Sequence, residues 1–415
     1  MVKRAGPSIT RIAVLLAGAV CACAQPFHVY VGQIGARSVL LAWGTTSGGG
    51  NTIGRDSVSH GHAQVRIAGR SQEADRNWAE IRGLEPDREY PYEVFVNGVK
   101  IGDGSVRTYP ERAQKLTFFV IGDYGNNSHG QRRIAEAMWR EFQKRSASDS
   151  PVRFVLTNGD NIYADLRVGR FILHSGDHDE DWEAKFFHPY AELLRHIPFC
   201  PTLGNHDGGD SENPGDLPVY LDNFFFPGNQ PARWYRFRFA NLAEFFALDS
   251  SDNRQPGQVQ EAYAVSGKQF QWLKEAMPAS SAPWKIPYFH HPPFTAGPRH
   301  APSYDSLEHF VRLFEQSGVR IVFSGHEHNF QFSAQDQATH GILYVVSGAG
   351  GELRRGSVLR QMERAHIAGW APQRHFLVVE IVNRRLSLTP VSYEPMAVRD
   401  PRGKPVTMPL VITLP

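Results

Sequence analysis

Leu156-Thr157-Asn158-Gly159-Asp160-Asn161-Ile162-Tyr163 reads as the end of a buried strand, Phe154-Val155-Leu156, running into a glycine turn. The turn throws Asp160 and Tyr163 out at the strand's C-terminal end, where a carboxylate and a phenol on one loop can reach the same hard cation. Four other stretches repeat the order of apolar strand, small residue and metal-ligand side chain: Ile121-Gly122-Asp123, Leu203-Gly204-Asn205-His206-Asp207, Tyr288-Phe289-His290-His291 and Phe323-Ser324-Gly325-His326-Glu327-His328.

Asp123, Asp160, Tyr163, Asn205, His290, His326 and His328 together offer carboxylates, a phenol, an amide oxygen and imidazoles. That mixture suits two adjacent hard or borderline cations. No thiolate takes part, which argues against a structural zinc site. A Gly-Asp pair or a histidine beside proline means little alone. The weight lies in five such blocks in order, each after an apolar run.

Around these blocks the chain divides in two. From Phe27 to about Pro110, short β-rich runs (Val29–Val31, Ser38–Trp43, Ala63–Ile67, Trp78–Ile81 and Tyr92–Val96) alternate with Gly, Ser, Asn and Asp turns, the pattern of a sandwich. Leu84-Glu85-Pro86-Asp87-Arg88-Glu89-Tyr90 resembles the tyrosine-corner approach of fibronectin-type sandwiches, and Trp43 fits a core tryptophan on a central strand. His60 and His62 read as solvated. After Thr108-Tyr109-Pro110-Glu111-Arg112, strands Leu116–Ile121, Phe154–Leu156 and Phe245–Leu248 alternate with helical periodicities at Arg132–Lys144, Lys268–Ala276 and Ser306–Gln316. Strands at Ile321–Phe323, Leu343–Val346, Phe376–Ile381 and Leu386–Pro390 follow, and the alternation predicts an α/β layered domain with ligands on loops after strand C-termini. Two long inserts, about 164–196 and 208–235, are expected to shape a site.

Residues 1–24 have the shape of an export signal: Lys3, Arg4 and Arg11, an apolar run Ile12–Val20, then Ala22-Cys23-Ala24. The run is too short to span a bilayer, so cleavage after Ala24 is favoured, with a lipid-tethered form at Cys23 ranked second and a buried helix third. The expected organisation is therefore a leader (1–24), a β-rich domain (25–110) and an α/β domain (111–415), secreted or periplasmic, with no further membrane span. Formal net charge is +2, and three of the basic residues lie in the leader, so no concentrated basic face for nucleic acid is expected. Cys200 is the one cysteine past the leader; it cannot form an internal disulfide and reads as a packed small hydrophobe.

Gly122-Asp123-Tyr124-Gly125, Gly159-Asp160-Asn161-Ile162-Tyr163, Gly204-Asn205-His206-Asp207, His290-His291-Pro292 and Gly325-His326-Glu327-His328 resemble the five blocks of the calcineurin-like metallophosphoesterases. Tyr163 narrows the resemblance to the purple acid phosphatase branch. It covers about Leu116 to Val382, and the β-rich region in front is similar to the branch's plant-type architecture. The implied fold is a fibronectin-III-like sandwich followed by a four-layer α/β metallophosphoesterase domain, its β-sheets flanked by helices. The resemblance implies a first metal, Fe(3+), on Asp123, Tyr163 and His328, and a second, Zn(2+), Fe(2+) or Mn(2+), on Asn205, His290 and His326, with Asp160 bridging. Two ions about 3.5 to 4 Å apart can hold a hydroxide and neutralise a phosphoryl group during in-line attack. The implied activity is phosphate-monoester hydrolysis on small substrates by an acid phosphatase.

His206, directly after Asn205, is implied to contact the phosphate and protonate the leaving group. Asp207 is read equally as orienting His206 or as capping a turn. Where plant-type members carry paired substrate histidines, this chain has Arg299-His300, which are expected to contact phosphate. His291 is given a packing or supporting role beside the ligand His290. His174, His178 and His188 are read as part of a solvated acidic insert, and Tyr344–Gly351 as a tight strand-to-loop turn, since no Lys-Ser/Thr follows. A phosphodiesterase on the same scaffold, or a decayed, binding-only domain, remains open at this stage.

Overall fold

Lys115–Ile121 and Val152–Thr157 are buried along nearly their whole length. Strands covered on both faces require such continuous apolar runs. In the computed structural model, which describes residues 27–46, 61–163, 167–168, 171–172, 182–207, 217–251 and 261–415, these two strands pair in parallel. They lie in a six-stranded sheet ordered Phe199–Pro201, Val152–Thr157, Lys115–Ile121, Phe376–Val382, Arg385–Val391, Leu410–Thr413. A seven-stranded sheet runs Tyr235–Phe239, Ala243–Ala247, Trp284–Tyr288, Ile321–Ser324, Leu343–Ser347, Phe330–Ser333, Ile367–Ala371. Its Ala243–Ala247, Trp284–Tyr288, Ile321–Ser324 and Leu343–Ser347 strands are parallel.

The two sheets face each other through aromatic side chains. Phe118 packs edge-on against Phe245 at 5.2 Å and Phe323 at 6.3 Å, and Phe154 meets Phe245 at 5.1 Å. Outside the six-stranded sheet, helix His129–Ser146 buries Ile134, Ala135 and Met138 in the same core. Ser128 caps that helix by accepting from the Gln131 N–H, and Lys144 and Arg145 in its last turn complement the helix dipole. Outside the seven-stranded sheet, helices Lys268–Ala276 and Tyr304–Gln316 pack Leu273, Phe310 and Phe314 against Phe246, Leu248 and Val322. The layers run helix, sheet, sheet, helix, as the family resemblance implies.

Two smaller sheets precede this core. One orders His28–Ile34, Ser38–Gly44, Trp78–Arg82, and the other Arg70–Ala74, Ala63–Ile67, Glu89–Val96, Val99–Arg107. They share one apolar cluster that includes Val31, Leu41, Trp43, Val65, Tyr92 and Val94. The Tyr90 hydroxyl accepts from the Glu85 N–H at 2.9 Å, so the expected corner is present, and Trp43 is buried. His62, exposed beside Glu73, fits its solvated reading, while His60 lies outside the described residues.

Polar side chains tie the small sheets to the large ones. The Tyr92 hydroxyl donates to the Arg195 carbonyl at 2.7 Å, and Arg153 reaches Asp87 at 2.8 Å. His196 contacts Ser105 through Nδ1 and stacks on Trp139 and Phe142 at 5.6 and 5.4 Å. Burial holds the His196 imidazole below its ordinary value. Burial pushes the Asp87 carboxyl up, but Arg153 and Arg107 outweigh it and hold it down.

The described parts of the inserts brace the site: Lys185 Nζ donates to the Tyr163 carbonyl. Trp182, Phe186 and Phe224 form an aromatic cluster, and Phe186 packs on Phe199 at 5.4 Å, so the inserts support the strand before Asn205 from behind. His188 is exposed, and His174 and His178 lie outside the described residues. Among the described residues no helix is long and apolar enough to cross a membrane, and the proposed leader lies outside them.

Candidate metal centre

Each of the five blocks follows a parallel strand. The six-stranded sheet delivers Asp123, Asp160 and Asn205 after Lys115–Ile121, Val152–Thr157 and Phe199–Pro201. The seven-stranded sheet delivers His290, then His326 and His328, after Trp284–Tyr288 and Ile321–Ser324. The turns are tight. Asp123, Asp160 and His326 adopt positive φ of 55°, 49° and 69°, a region non-glycine residues enter only at a cost. Gly159 precedes Asp160 at φ 80°, and a Cβ on Gly204 would sit 2.1 Å from Asp160 Oδ1, so block three closes on block two only with glycine there.

The seven predicted ligands converge as two sets. The Tyr163 hydroxyl lies 3.1 Å from Asp123 Oδ1, 3.0 Å from Asp160 Oδ2 and 3.2 Å from His328 Nε2. On the other side, His290 Nε2 lies 3.1 Å from Asn205 Oδ1, 3.1 Å from His326 Nδ1 and 3.3 Å from Asp160 Oδ2. Asp160 belongs to both sets. Among the described residues, the Asp123, Asp160 and His328 donor atoms fall within 4.8 Å of one another, as do those of His290, His291 and His326.

The donor chemistry fits cations. One phenolic proton cannot satisfy the two carboxylate oxygens and the imidazole nitrogen that face Tyr163 at hydrogen-bond distance. His290 Nδ1 sits 2.8 Å from the Asn158 carbonyl, an acceptor that requires the ring proton on Nδ1. In the neutral ring Nε2 then presents a lone pair to Asp160 and Asn205, which are themselves acceptors, as metal-ligating histidines do. Burial, then Asp123 and Asp160, hold the Tyr163 phenol well above its ordinary value. Burial raises Asp123 as well, while His290 and His206 overcome burial at Asp160 and keep that carboxyl low. Burial lowers His290, but Asp160 more than reverses this and raises it to about 9. His326 and His328 are pushed down, chiefly by burial. Positive charge is what this cluster lacks.

Substrate-side residues gather at the same place. The His206 N–H donates to Asp160 Oδ1 at 2.9 Å, and its half-buried ring lies 4.6 Å from that of Tyr163. The His300 ring stacks on His326 at 3.8 Å, and the Arg299 and His300 N–H groups donate to Glu327 Oε2 at 3.3 and 2.8 Å. Asp207 makes bonds that belong to one of its two readings. Its carboxylate accepts from the Gly204 N–H at 2.7 Å, the Asn161 N–H at 2.8 Å and Asn161 Nδ2 at 2.9 Å, so its recorded bonds pin the turns of blocks two and three and none orients His206. The turn-capping reading is the one these bonds favour, and the residue is buried.

Several contributors carry no motif. Glu327 sits inside block five yet holds the Arg299–His300 turn, and Arg354 reaches His300. Ser250, after Ala243–Ala247, accepts the His291 N–H at 3.0 Å and lies 3.1 Å from His291 Nδ1, which gives His291 its supporting role next to His326. The loop Gly348–Gly351 is the tight turn expected, and its Gly350 and Gly351 N–H groups donate to the Gly122 and Asp123 carbonyls at 2.9 Å. Burial raises the Cys200 thiol far from nucleophilic range, in keeping with a packed hydrophobe.

Residues 116–330 match the calcineurin-like phosphoesterase family. The chain belongs to that family. The phosphoesterase is 26% identical over 304 residues to tartrate-resistant acid phosphatase type 5 of Rattus norvegicus, covering 67% of this chain and 86% of the relative. It is also 25% identical over 334 residues to an uncharacterized protein of Mycobacterium tuberculosis, covering 74% of this chain but 61% of that relative's length. In fold it resembles a structure of PhoD (TM-score 0.65, 15% identity, 92% of this chain and 91% of that one). It resembles equally a purple acid phosphatase from yellow lupin seeds (TM-score 0.65, 14% identity, 94% and 74% covered). The phosphoesterase is thus a homologue of the purple acid phosphatases, and its blocks form a candidate metal-binding group.

Proposed function

We propose that this phosphoesterase is an exported acid phosphatase that hydrolyses phosphate monoesters at a dinuclear centre. The observation that carries the reading is Asp160, whose carboxylate belongs to both donor sets. Asp123, Tyr163 and His328 would hold the first ion, Fe(3+), and Asn205, His290 and His326 the second, Zn(2+), Fe(2+) or Mn(2+), with Asp160 between. When bound, such a pair neutralises phosphoryl oxygens and makes a water nucleophilic near neutral pH. The chain's own residues supply the rest. His206 protonates the departing oxygen, and His300 with Arg299 grips the phosphate at the His326 side.

We also assign the small sheets to a fibronectin-III-like domain spanning 25–110, on the strength of the Tyr90 corner and Trp43, with the catalytic domain at 111–415. Export rests on the composition of residues 1–24.

Metal analysis with a visible spectrum tests the centre. Iron-loaded protein is expected to show a charge-transfer band that disappears in Tyr163→Phe. A colourless iron-loaded wild type would remove ferric iron from the reading. Faster turnover of an aryl diester than of the monoester with the same leaving group would replace phosphatase by phosphodiesterase.

A further inference from the structure

Arg354 lies outside all five blocks, yet the fold carries it to the mouth of the centre. Its N–H donates to the His328 carbonyl at 2.9 Å, and its Nη2 lies 3.4 Å from His300 Nε2. His300 in turn stacks on His326. The backbone is thus tied to the His328 side while the guanidinium reaches His300 on the His326 side, and its charge acts on both His328 and His300.

This arginine is poorly paired. Its side chain is 20% exposed, and the one carboxylate within 4.0 Å among the described residues, Glu327, has Oε1 3.9 Å from Nε. Both Nε and that Oε1 are buried and without a hydrogen-bond partner among the described residues. The other Glu327 oxygen is committed to the Arg299 and His300 N–H groups. A guanidinium stays charged at every working pH, and a buried N–H of it without a partner is costly. An arginine kept so beside a phosphoester site is poised for an anionic oxygen that arrives with the substrate.

We propose that Arg354 selects for phosphate monoesters by pairing with the third terminal oxygen of the phosphate, resting on the phosphatase reading above. A monoester dianion has three terminal oxygens. A diester has two, and the third position is an uncharged ester oxygen, a weaker acceptor whose carbon substituent crowds the guanidinium. Two neighbouring cations can neutralise two terminal oxygens, which leaves the third as the mark of a monoester. The planar fork of arginine matches that oxygen better than an ammonium does.

The test compares metal-loaded wild type, Arg354→Gln and Arg354→Lys, using an aryl phosphate monoester, its methyl diester with the same leaving group, and inorganic phosphate. In Arg354→Gln, kcat/KM for the monoester is expected to fall about 10- to 100-fold, the span of a lost charge-assisted bond. Diester turnover should stay within about threefold, and phosphate should bind about tenfold more weakly by calorimetry. Arg354→Lys should recover part of both losses. Equal losses on the two esters, or no change on the monoester, would overturn the proposal. If wild type cleaves neither ester, the phosphatase reading fails, and unchanged phosphate affinity in Arg354→Gln would separately sink the role given to Arg354.

Discussion

The same backbone conformation serves opposite ends in the two halves of the molecule. In the small sheets, Ala68, Asp87 and Asn97 take positive φ at exposed turns between strands. In the large sheets, Asp123 and Asp160 take it while fully buried, and His326 while half-buried, each as the first functional side chain after a strand. In the first case a left-handed residue reverses the chain at an exposed turn, and of the three Asp87 also pairs with Arg153 and Arg107. In the second it turns a ligand inward from a rigid strand, and packing around the blocks must hold the strain. Side chains can thus be exchanged cheaply in one region and hardly at all in the other.

Substitutions should separate the two regions sharply. Asp160→Asn, which weakens the one carboxylate common to both donor sets, is expected to lower turnover by about 10³-fold. Metal content measured on the purified variant should fall with it, and full metal occupancy with full activity would break the contrast. Gly204→Ala places a methyl group 2.1 Å from Asp160 Oδ1 and must push the carboxylate aside. A displacement of about 1 Å can cost about 10²-fold, so steady-state kinetics should show a loss of that order with little change in helix and sheet content.

In the small sheets the effects should be on stability alone. Tyr90→Phe removes the acceptor of the Glu85 N–H and should lower unfolding free energy by about 1 kcal/mol in denaturant titration, with kcat unchanged. The smallest effect concerns pH. Burial holds His196 below 6.5, so the folded chain keeps it neutral while the unfolded chain binds a proton as pH falls through that value. Its contribution is complete above pH 6.5 and declines as pH drops toward the depressed folded value. His196→Phe retains stacking on Trp139 and Phe142, and its melting temperature should therefore fall less steeply on acidification than that of wild type.

The candidate ligands were legible in the sequence because each rides on a local device, a strand, a glycine turn and a donor side chain within a few residues. Arg354 and Ser250 left no such trace, since they meet the site through tertiary packing and sit in stretches that look like ordinary loops. Glu327 was in view but misjudged by silence, because between two histidine ligands its own bonds point the other way, to the Arg299–His300 turn. Asp207 was open to two readings in the sequence, orienting His206 or capping a turn. Adjacent to His206 in sequence, it spends its oxygens on Gly204 and Asn161. Among the elements, helix Lys268–Ala276 and the sheet cores stood out by periodicity, whereas strands Arg70–Ala74 and Val99–Arg107 were missed. The first is almost wholly polar and the second carries Lys100, Gly102, Asp103 and Gly104, so neither shows an apolar alternation.

Each donor set draws on both large sheets: Asp123 and Tyr163 come from one and His328 from the other, just as Asn205 comes from one and His290 and His326 from the other. In the proposed centre the ions would act as a pair of rivets through the seam between two plates. The site is then a gauge of how those plates slide. A core change far below it, at Phe118 where the ring bridges Phe245 and Phe323, would register first as leaking metal, before any element of the fold came apart.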